Sequence, residues 1–306
     1  MRKPLLFLPG PMQVPDHVRA AGDRPLFSHR SPHMDSLRAR LEEGCRPLFG
    51  TKDDVIFLAS SGTGAMESAI ANLTSPGDEI IVVVGGSFAG RWSQIAGAYG
   101  LTVRAVDVDW RRGASLADIE NALKQWPKAE VIFHTWSESS TGVLNDLSEI
   151  GKLVRSQNKV FVADAISGLA VSPLSMDDWS IDAIVAASQK GLMLPPGLGV
   201  VAIASRAWEK RERSGTPRFY WDWKKYLDDL PFTPATGLLF QLEASLDYIH
   251  SQGPQRIFER RAQVAEWIRD LIRRNGMEIY ALKPWNGITG VIPPKGFDII
   301  ALRGRL

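Results

Sequence analysis

Between residues 55 and 164 the chain repeatedly alternates a short run of β-forming residues with a longer segment of helical periodicity. This alternation predicts βα units and a parallel sheet, because parallel strands need long crossover connections. The runs at 80–84 and 160–163 are apolar without interruption, which is typical of strands covered by helices on both faces. We therefore predict an α/β fold, a mostly parallel sheet sandwiched by helices. The predicted strands are 55–59, 80–84, 103–108, 131–135, 160–164, 181–186 and 198–204, and the helices between them are 65–73, 88–99, 116–126 and 147–157.

The pattern changes after the last predicted strand. Residues 206–213 mix charges of both signs and predict a solvated helix, whereas 215–234 contains prolines and aromatics and predicts an irregular crossing segment. Helical patterns follow at 238–250 and 255–275. We predict three parts: an N-terminal arm (1–20), a large cofactor-binding domain (21–235) and a small C-terminal α/β domain (236–306).

Charge and composition exclude several classes of partner. The 306 residues carry 36 Lys and Arg against 34 Asp and Glu, so no global field draws the chain to nucleic acid or to an anionic membrane. No apolar run approaches the length of a membrane span. The single cysteine, Cys45, cannot form an internal disulfide and fits a reducing compartment, so we predict a cytoplasmic protein.

A glycine-containing turn at 60–64 separates the first predicted strand from the first predicted helix. The N–H groups at the start of a helix have no partners within the helix, and the helix dipole favours an anion there. The turn lacks the third glycine of the dinucleotide-binding fingerprint. We therefore expect it to bind a phosphate group that belongs to another kind of ligand.

Asp164 and Lys190 each follow a predicted strand, at the edge of the sheet where ligands of open α/β folds bind. A lysine that is partly buried has a lowered ammonium pKa, which makes it a nucleophilic amine. Together with a phosphate-binding turn, this pair is what pyridoxal 5'-phosphate (PLP) requires: the lysine forms the Schiff base and the aspartate holds the ring nitrogen protonated. The sequence thus predicts a PLP enzyme.

A hydrolase is the competing interpretation of the same region. Ser87 lies in a glycine-rich turn after a strand, and Ser87, Asp164 and His250 occur in the order of an α/β-hydrolase triad. His250, however, lies within a helical pattern, where a histidine is usually a surface or core residue. We therefore favour the PLP enzyme.

Four motifs occur in an order that makes the resemblance specific. They are Ser61–Gly64, Glu138–Gly142, Ala163–Ser167 and Ser188–Lys190, the last followed by a Pro-Pro-Gly sequence. This set resembles the class V aminotransferases of PLP fold type I, especially the alanine/serine–glyoxylate group. The resemblance runs from Leu8 to about Glu243.

The resemblance implies contacts to both ends of the cofactor. At the phosphate it implies Ser61, Gly62 and Thr63, with Gln189 beside them. Thr233 would reach the phosphate of the neighbouring subunit's cofactor, which implies a homodimer with shared active sites.

At the pyridine ring the resemblance implies stacking by Phe88 on one face and packing by Ile166 on the other. Ser139 would form a hydrogen bond near the ring hydroxyl. Asp164 would hold the ring nitrogen, and Lys190 would be the catalytic, imine-forming lysine.

The chain departs from the family pattern in three places. Relatives continue past the position of Leu306 into a segment with the arginine that binds the substrate carboxylate; Arg30 is a candidate replacement. Trp136 stands where the family often has histidine, and Phe88 where it often has tryptophan.

The predicted activity is transfer of an amino group from serine or alanine to a small 2-oxo acid such as glyoxylate. A PLP-dependent lyase or aldol-type enzyme, or a degenerate or partner-dependent subunit of the same fold, are the alternatives.

Overall fold

A computed structural model describes Leu6, residues 8–227, Leu230 and residues 232–304. The residues outside the described ones are 1–5 and Phe7 of the predicted arm, Asp228, Asp229 and Pro231 of the predicted crossing segment, and the last two residues of the predicted small domain. The helices are α1 (Asp16–Ala21), α2 (Pro32–Phe49), α3 (Gly62–Leu73), α4 (Ala89–Ala98), α5 (Leu116–Gln125), α6 (Ser148–Ser156), α7 (Ser205–Arg213), α8 (Lys224–Leu227), α9 (Thr236–Gln252), α10 (Pro254–Arg274) and α11 (Ile299–Arg303). The strands are β1 (Asp54–Leu58), β2 (Glu79–Val84), β3 (Thr102–Asp107), β4 (Val131–Thr135), β5 (Ser137–Glu138), β6 (Val143–Leu144), β7 (Val160–Asp164), β8 (Ala183–Ala187), β9 (Gly199–Ile203), β10 (Glu278–Ile279) and β11 (Val291–Ile292).

The central sheet has the strand order β1-β9-β8-β7-β4-β2-β3. The pairs β3–β2, β2–β4, β4–β7 and β7–β8 are parallel, whereas β9 runs antiparallel to both of its neighbours. β9 can reverse because the chain returns from β8 through residues 188–198 without a crossover helix. The mostly parallel sheet predicted from the sequence is confirmed, and the predicted strand limits differ from the observed ones by at most two residues.

Helices cover both faces of this sheet, which explains the uninterrupted apolar runs. One face packs on a core that includes Met66 of α3 and Trp92 of α4, and the other on a core that includes Leu41 of α2, Ile150 of α6 and Phe240 of α9. Every residue of β4, β7, β8 and β9 is buried. Such two-sided burial removes alternation from a strand sequence.

The C-terminal part of the chain packs less extensively. The long helix α10 has only Ala265 and Arg269 buried, and the strands β10 and β11 form a separate two-stranded antiparallel sheet. The helix predicted at 255–275 is present as α10. None of the described helices is both long enough and apolar enough to cross a membrane.

Candidate active site

Five parallel strands deliver the predicted site residues to one edge of the sheet, here called the carboxyl edge because these strands end there. β1 is parallel to β8, since each runs antiparallel to β9. A cavity of about 280 Å³ lies at this edge, close to the lower end of the range for small-molecule sites. Nine of the predicted residues line it: Ser61, Gly62, Thr63, Phe88, Ser139, Asp164, Ile166, Gln189 and Lys190.

The predicted phosphate turn is the start of α3. Ser61 is the N-cap residue, and its Oγ accepts a hydrogen bond from the Gly64 N–H (3.4 Å). Gly62 allows close packing behind the turn, because a Cβ there would lie 2.8 Å from Ile166 Cδ1. The turn and the Ile166 side chain thus lie on one compact wall, with the first N–H groups of α3 available to an anion.

Asp164 ends β7 with its side chain almost wholly buried, at 4% exposure. One carboxylate oxygen accepts from the Ile166 N–H (2.8 Å), and the other accepts from Thr135 Oγ1 (3.4 Å). Burial raises the pKa of Asp164 to about 7, and the negative charge of Glu138 adds to the effect. A buried carboxylate in this position is stabilised by a positively charged partner, such as a protonated pyridine nitrogen.

Lys190 lies in the loop after β8. Because β8 pairs with β7, Lys190 and Asp164 line the same cavity, as predicted. Its Nζ donates to the carbonyl oxygen of Pro9 (2.9 Å). Desolvation lowers the pKa of Lys190, and Asp164 opposes that shift. A lowered ammonium pKa increases the fraction of the neutral, nucleophilic amine.

The N-terminal arm crosses the lysine, which the sequence alone did not indicate. The Met12 N–H donates to the carbonyl of Gln189 (3.0 Å), and Gly10 lines the cavity. A Cβ at Gly10 would lie 2.8 Å from Lys190 Nζ, and Gly10 has a positive φ of 154°. The positive φ favours glycine there, and a Cβ would displace the end of the Lys190 side chain; the Pro-Gly-Pro sequence at 9–11 was the available signal.

Glu138 is a buried carboxylate that sequence reasoning did not select. Its oxygens accept from the N–H groups of Ala89 (2.8 Å), Phe88 (3.4 Å) and Ser140 (3.0 Å) and from Ser140 Oγ (2.7 Å). A negative charge at the start of α4 is favourable because of the helix dipole. Glu138 thus fixes the turn that carries Phe88 against the hairpin that carries Ser139.

Two polar atoms in the cavity wall have no hydrogen-bond partner among the described residues: Ser137 Oγ and Gln189 Oε1. Ser137 is only 3% exposed, so its hydroxyl lacks water as a substitute. Ser139 Oγ, by contrast, donates to Ser167 Oγ (2.6 Å). Unpaired buried polar groups are costly, and a polar ligand that fills the cavity can satisfy both.

These features fit PLP. The cavity offers a buried carboxylate for the ring nitrogen, a lysine amine, a helix start for the phosphate and unpaired polar atoms for the remaining substituents.

Two predicted residues lie outside this cavity lining. Thr233 is exposed on the segment before α9, and Arg30 is exposed between α1 and α2. The structure therefore does not bring either of them to the site formed by the other nine.

The hydrolase triad is not assembled. Ser87 donates its backbone N–H to Ser140 Oγ (3.0 Å), while the ring of His250 on α9 contacts the carbonyl of Gly44 on α2 (2.8 Å). His250 is exposed and does not line the cavity with Asp164. The competing interpretation is therefore wrong.

The departure at Trp136 concerns packing below the site. Trp136 is 2% exposed, stacks edge-on against Trp179 at 5.8 Å between ring centres, and does not line the cavity. A Cβ at Gly168 would lie 2.5 Å from the Trp136 ring, so the indole occupies space that glycine leaves.

Arg91 is a further cavity residue that the sequence reasoning missed. It lies in the first turn of α4 and lines the cavity together with Phe88. The signal was present, because an arginine three residues after the predicted stacking residue falls on the same helical face.

A mostly parallel sheet between two helical layers, with a lysine and an aspartate at the carboxyl ends of adjacent strands, defines a PLP-dependent enzyme of fold type I. The sequence model of the family described as Aminotransferase class-V matches residues 17–291. The chain belongs to this family of PLP-dependent aminotransferases.

Individual relatives are similar to the chain over most of their own length. The soluble hydrogenase small subunit of Synechococcus sp. (strain PCC 6716) is 35% identical over 91% of this chain and 75% of its own length. The serine–glyoxylate aminotransferase of Methylorubrum extorquens is 32% identical over 96% of this chain and 77% of its own. The crystal structure of an alanine–glyoxylate aminotransferase from Nostoc sp. superposes with a TM-score of 0.95 at 28% identity, covering 100% of this chain and 84% of that one.

Proposed function

We propose that the protein transfers an amino group from serine or alanine to a small 2-oxo acid such as glyoxylate. The observation that carries this proposal is the pairing of Asp164 and Lys190 at adjacent strand ends in one cavity. The names of the relatives from Methylorubrum extorquens and Nostoc sp. support glyoxylate as the acceptor.

PLP, when bound, supplies an aldehyde carbon that accepts the amino group and a ring that accepts electrons from the substrate. In our proposal Asp164 accepts a hydrogen bond from the ring nitrogen and keeps it protonated. Phe88 and Ile166 pack on the two faces of the ring, and Ser139 lies by the ring hydroxyl. Ser61, Gly62, Thr63 and Gln189 hold the phosphate.

Lys190 is the proposed catalytic residue. Its Nζ holds the cofactor before substrate arrives and then acts as the base that removes the proton from the substrate Cα. Desolvation favours the neutral amine that this role needs. The hydrogen bond with the Pro9 carbonyl orients Nζ.

We also propose a homodimer in which Thr233 reaches the phosphate at the partner's site. Thr233 is exposed and does not line this chain's own cavity, which supports this arrangement. Arg30 does not line this chain's own cavity, and it remains the proposed contact for the substrate carboxylate from the resemblance alone. A dimer in sedimentation analysis, together with weakened PLP binding in Thr233→Ala, is the expected result.

The proposed division into an arm (1–20), a large PLP-binding domain (21–235) and a small domain (236–306) places the whole lined cavity in the first two parts. A cytoplasmic location is proposed because the single cysteine is buried and unpaired.

A half-reaction screen tests the activity. The PLP-loaded protein is mixed with alanine, serine or aspartate, and the released 2-oxo acid and pyridoxamine phosphate are measured by chromatography. We expect stoichiometric pyridoxamine phosphate with alanine or serine, and restoration of PLP on addition of glyoxylate. Product formation from the amino acid without pyridoxamine phosphate would instead identify a lyase or aldol-type enzyme.

A further inference from the structure

Arg91 brings a positive charge to the cavity that the described residues leave without an acidic partner. Its Nη1 donates to Thr63 Oγ1 (3.1 Å), and its Cζ lies 5.1 Å from the centre of the Phe88 ring. These two residues are the proposed phosphate and ring contacts. Among the residues that the structure describes, no carboxylate forms an ion pair with this guanidinium.

The carboxylates on neighbouring elements are already engaged elsewhere. Glu138 accepts hydrogen bonds from Ala89 and Ser140, at the start of α4. Glu67 of α3 accepts from Tyr99 Oη (2.8 Å). The charge of Arg91 is therefore available to an anionic ligand in the cavity.

The backbone that carries Arg91 is firmly held. The next residue, Trp92, has no exposed surface, and its ring packs against Phe133 with 4.7 Å between ring centres. The Glu138 carboxylate binds the N–H groups at the start of the same helix. Because the hydrogen bond with Thr63 also holds the guanidinium, a ligand that binds it there costs the side chain less conformational freedom.

We propose that Arg91 binds the PLP phosphate, next to Thr63 and the first turn of α3. This inference rests on the proposed function. Guanidinium groups form strong charge-assisted hydrogen bonds with phosphate oxygens. The helix start attracts the same group, so Thr63 and the guanidinium converge on one anion. The substrate carboxylate is the other anion that enters the cavity, and the experiment separates the two.

The test compares two ligands that differ only in the phosphate ester. Dissociation constants for PLP and for pyridoxal, its analogue without the phosphate, are measured by absorbance in the wild type, Arg91→Gln and Arg91→Lys. We expect Arg91→Gln to weaken PLP binding tenfold or more and to change pyridoxal binding less than twofold. Arg91→Lys retains the charge, so its affinity for PLP is expected to lie between those of the wild type and Arg91→Gln.

The matched control is Arg104→Gln on β3, an arginine that pairs with Glu79 (2.7 Å) and does not line the cavity. It is expected to bind both ligands as the wild type does. Equal weakening of PLP and pyridoxal in Arg91→Gln would overturn the proposal. So would unchanged PLP binding with a raised KM for the amino acid, which would assign Arg91 to the substrate carboxylate. Absence of PLP binding in the wild type would refute the proposed function itself.

Discussion

Each of the two edges of the central sheet carries an aspartate and a lysine, but the hydrogen-bond partners of the two aspartates differ. At the carboxyl edge these are Asp164 and Lys190. At the opposite edge, here called the amino edge, Lys159 precedes β7 and Asp182 precedes β8. Both aspartates are almost fully buried, and burial lowers the pKa of both lysines.

At the amino edge the protein itself satisfies each charge. Asp182 accepts from Arg155 (2.9 Å) and from the Phe161 N–H (2.8 Å), and Arg206 lies 3.9 Å away. Lys159 donates to the carbonyls of Pro127 (2.7 Å) and Ala129.

At the carboxyl edge the aspartate receives only a backbone N–H and a hydroxyl, and no arginine side chain binds it among the described residues. Burial alone therefore does not show that a charged residue binds a ligand. A buried charge whose partner the chain does not supply indicates a ligand.

The largest expected difference between the edges is in the two lysines. Lys190→Ala should lower the rate of amino transfer by about a thousandfold or more, since it removes the proposed base and the covalent attachment of PLP. Lys159→Ala should leave the rate within about twofold, because it lies at the amino edge. Stopped-flow measurement of the half-reaction with alanine or serine, at saturating PLP, distinguishes them. Similar rates for the two variants would remove the functional distinction between the edges.

Replacing the two aspartates should have different consequences: a lower rate at Asp164 and a lower stability at Asp182. Asp164→Asn should lower the half-reaction rate by about a hundredfold, because a neutral amide no longer stabilises the protonated ring nitrogen. Asp182→Asn should instead lower the free energy of unfolding by about 3 kcal/mol, since it removes the charge of a fully buried carboxylate that binds Arg155 and the Phe161 N–H.

Urea unfolding of the proteins without cofactor and kinetics of the loaded proteins are measured in parallel. A rate loss in Asp182→Asn comparable to that in Asp164→Asn would contradict the assignment of the amino edge to stability.

The last prediction is a pH dependence that belongs to Asp164. Its pKa is about 7 in the folded chain and close to 3.9 in an unfolded one, so the unfolded state loses its proton first as pH rises. The contribution of Asp164 to stability therefore falls between about pH 4 and pH 7, by up to ~4 kcal/mol. The difference in unfolding free energy between the wild type and Asp164→Asn, without cofactor, should follow this slope. A difference that stays constant with pH would show that burial does not raise the pKa of Asp164.

The sequence predicted the central sheet well because its signals are local. Strand β4 was placed at its observed limits, and β7 likewise, from apolar runs that end in polar residues. Phosphate-turn glycines, the strand-end aspartate and the lysine also have fixed positions relative to a strand, which is why nine candidates line one cavity.

Glu138 was missed for the opposite reason. Glu138 acts on the start of α4, about 50 residues earlier in the chain, and only its hydrogen bonds with Phe88 and Ala89 reveal that role. The cover of Lys190 by Pro9 joins residues 181 positions apart. No periodicity or motif spacing encodes such contacts.

The sequence by itself determined the fold class, the cofactor and the residues at the strand ends. These depend on the hydrophobic periodicity and on the residue types that follow each strand, and both are local properties of the sequence. Only the tertiary structure decided which buried charges are neutralised, as at Asp182, and which are left for a ligand, as at Asp164. The physical reason is that the electrostatic environment of a buried group depends on every element packed against it.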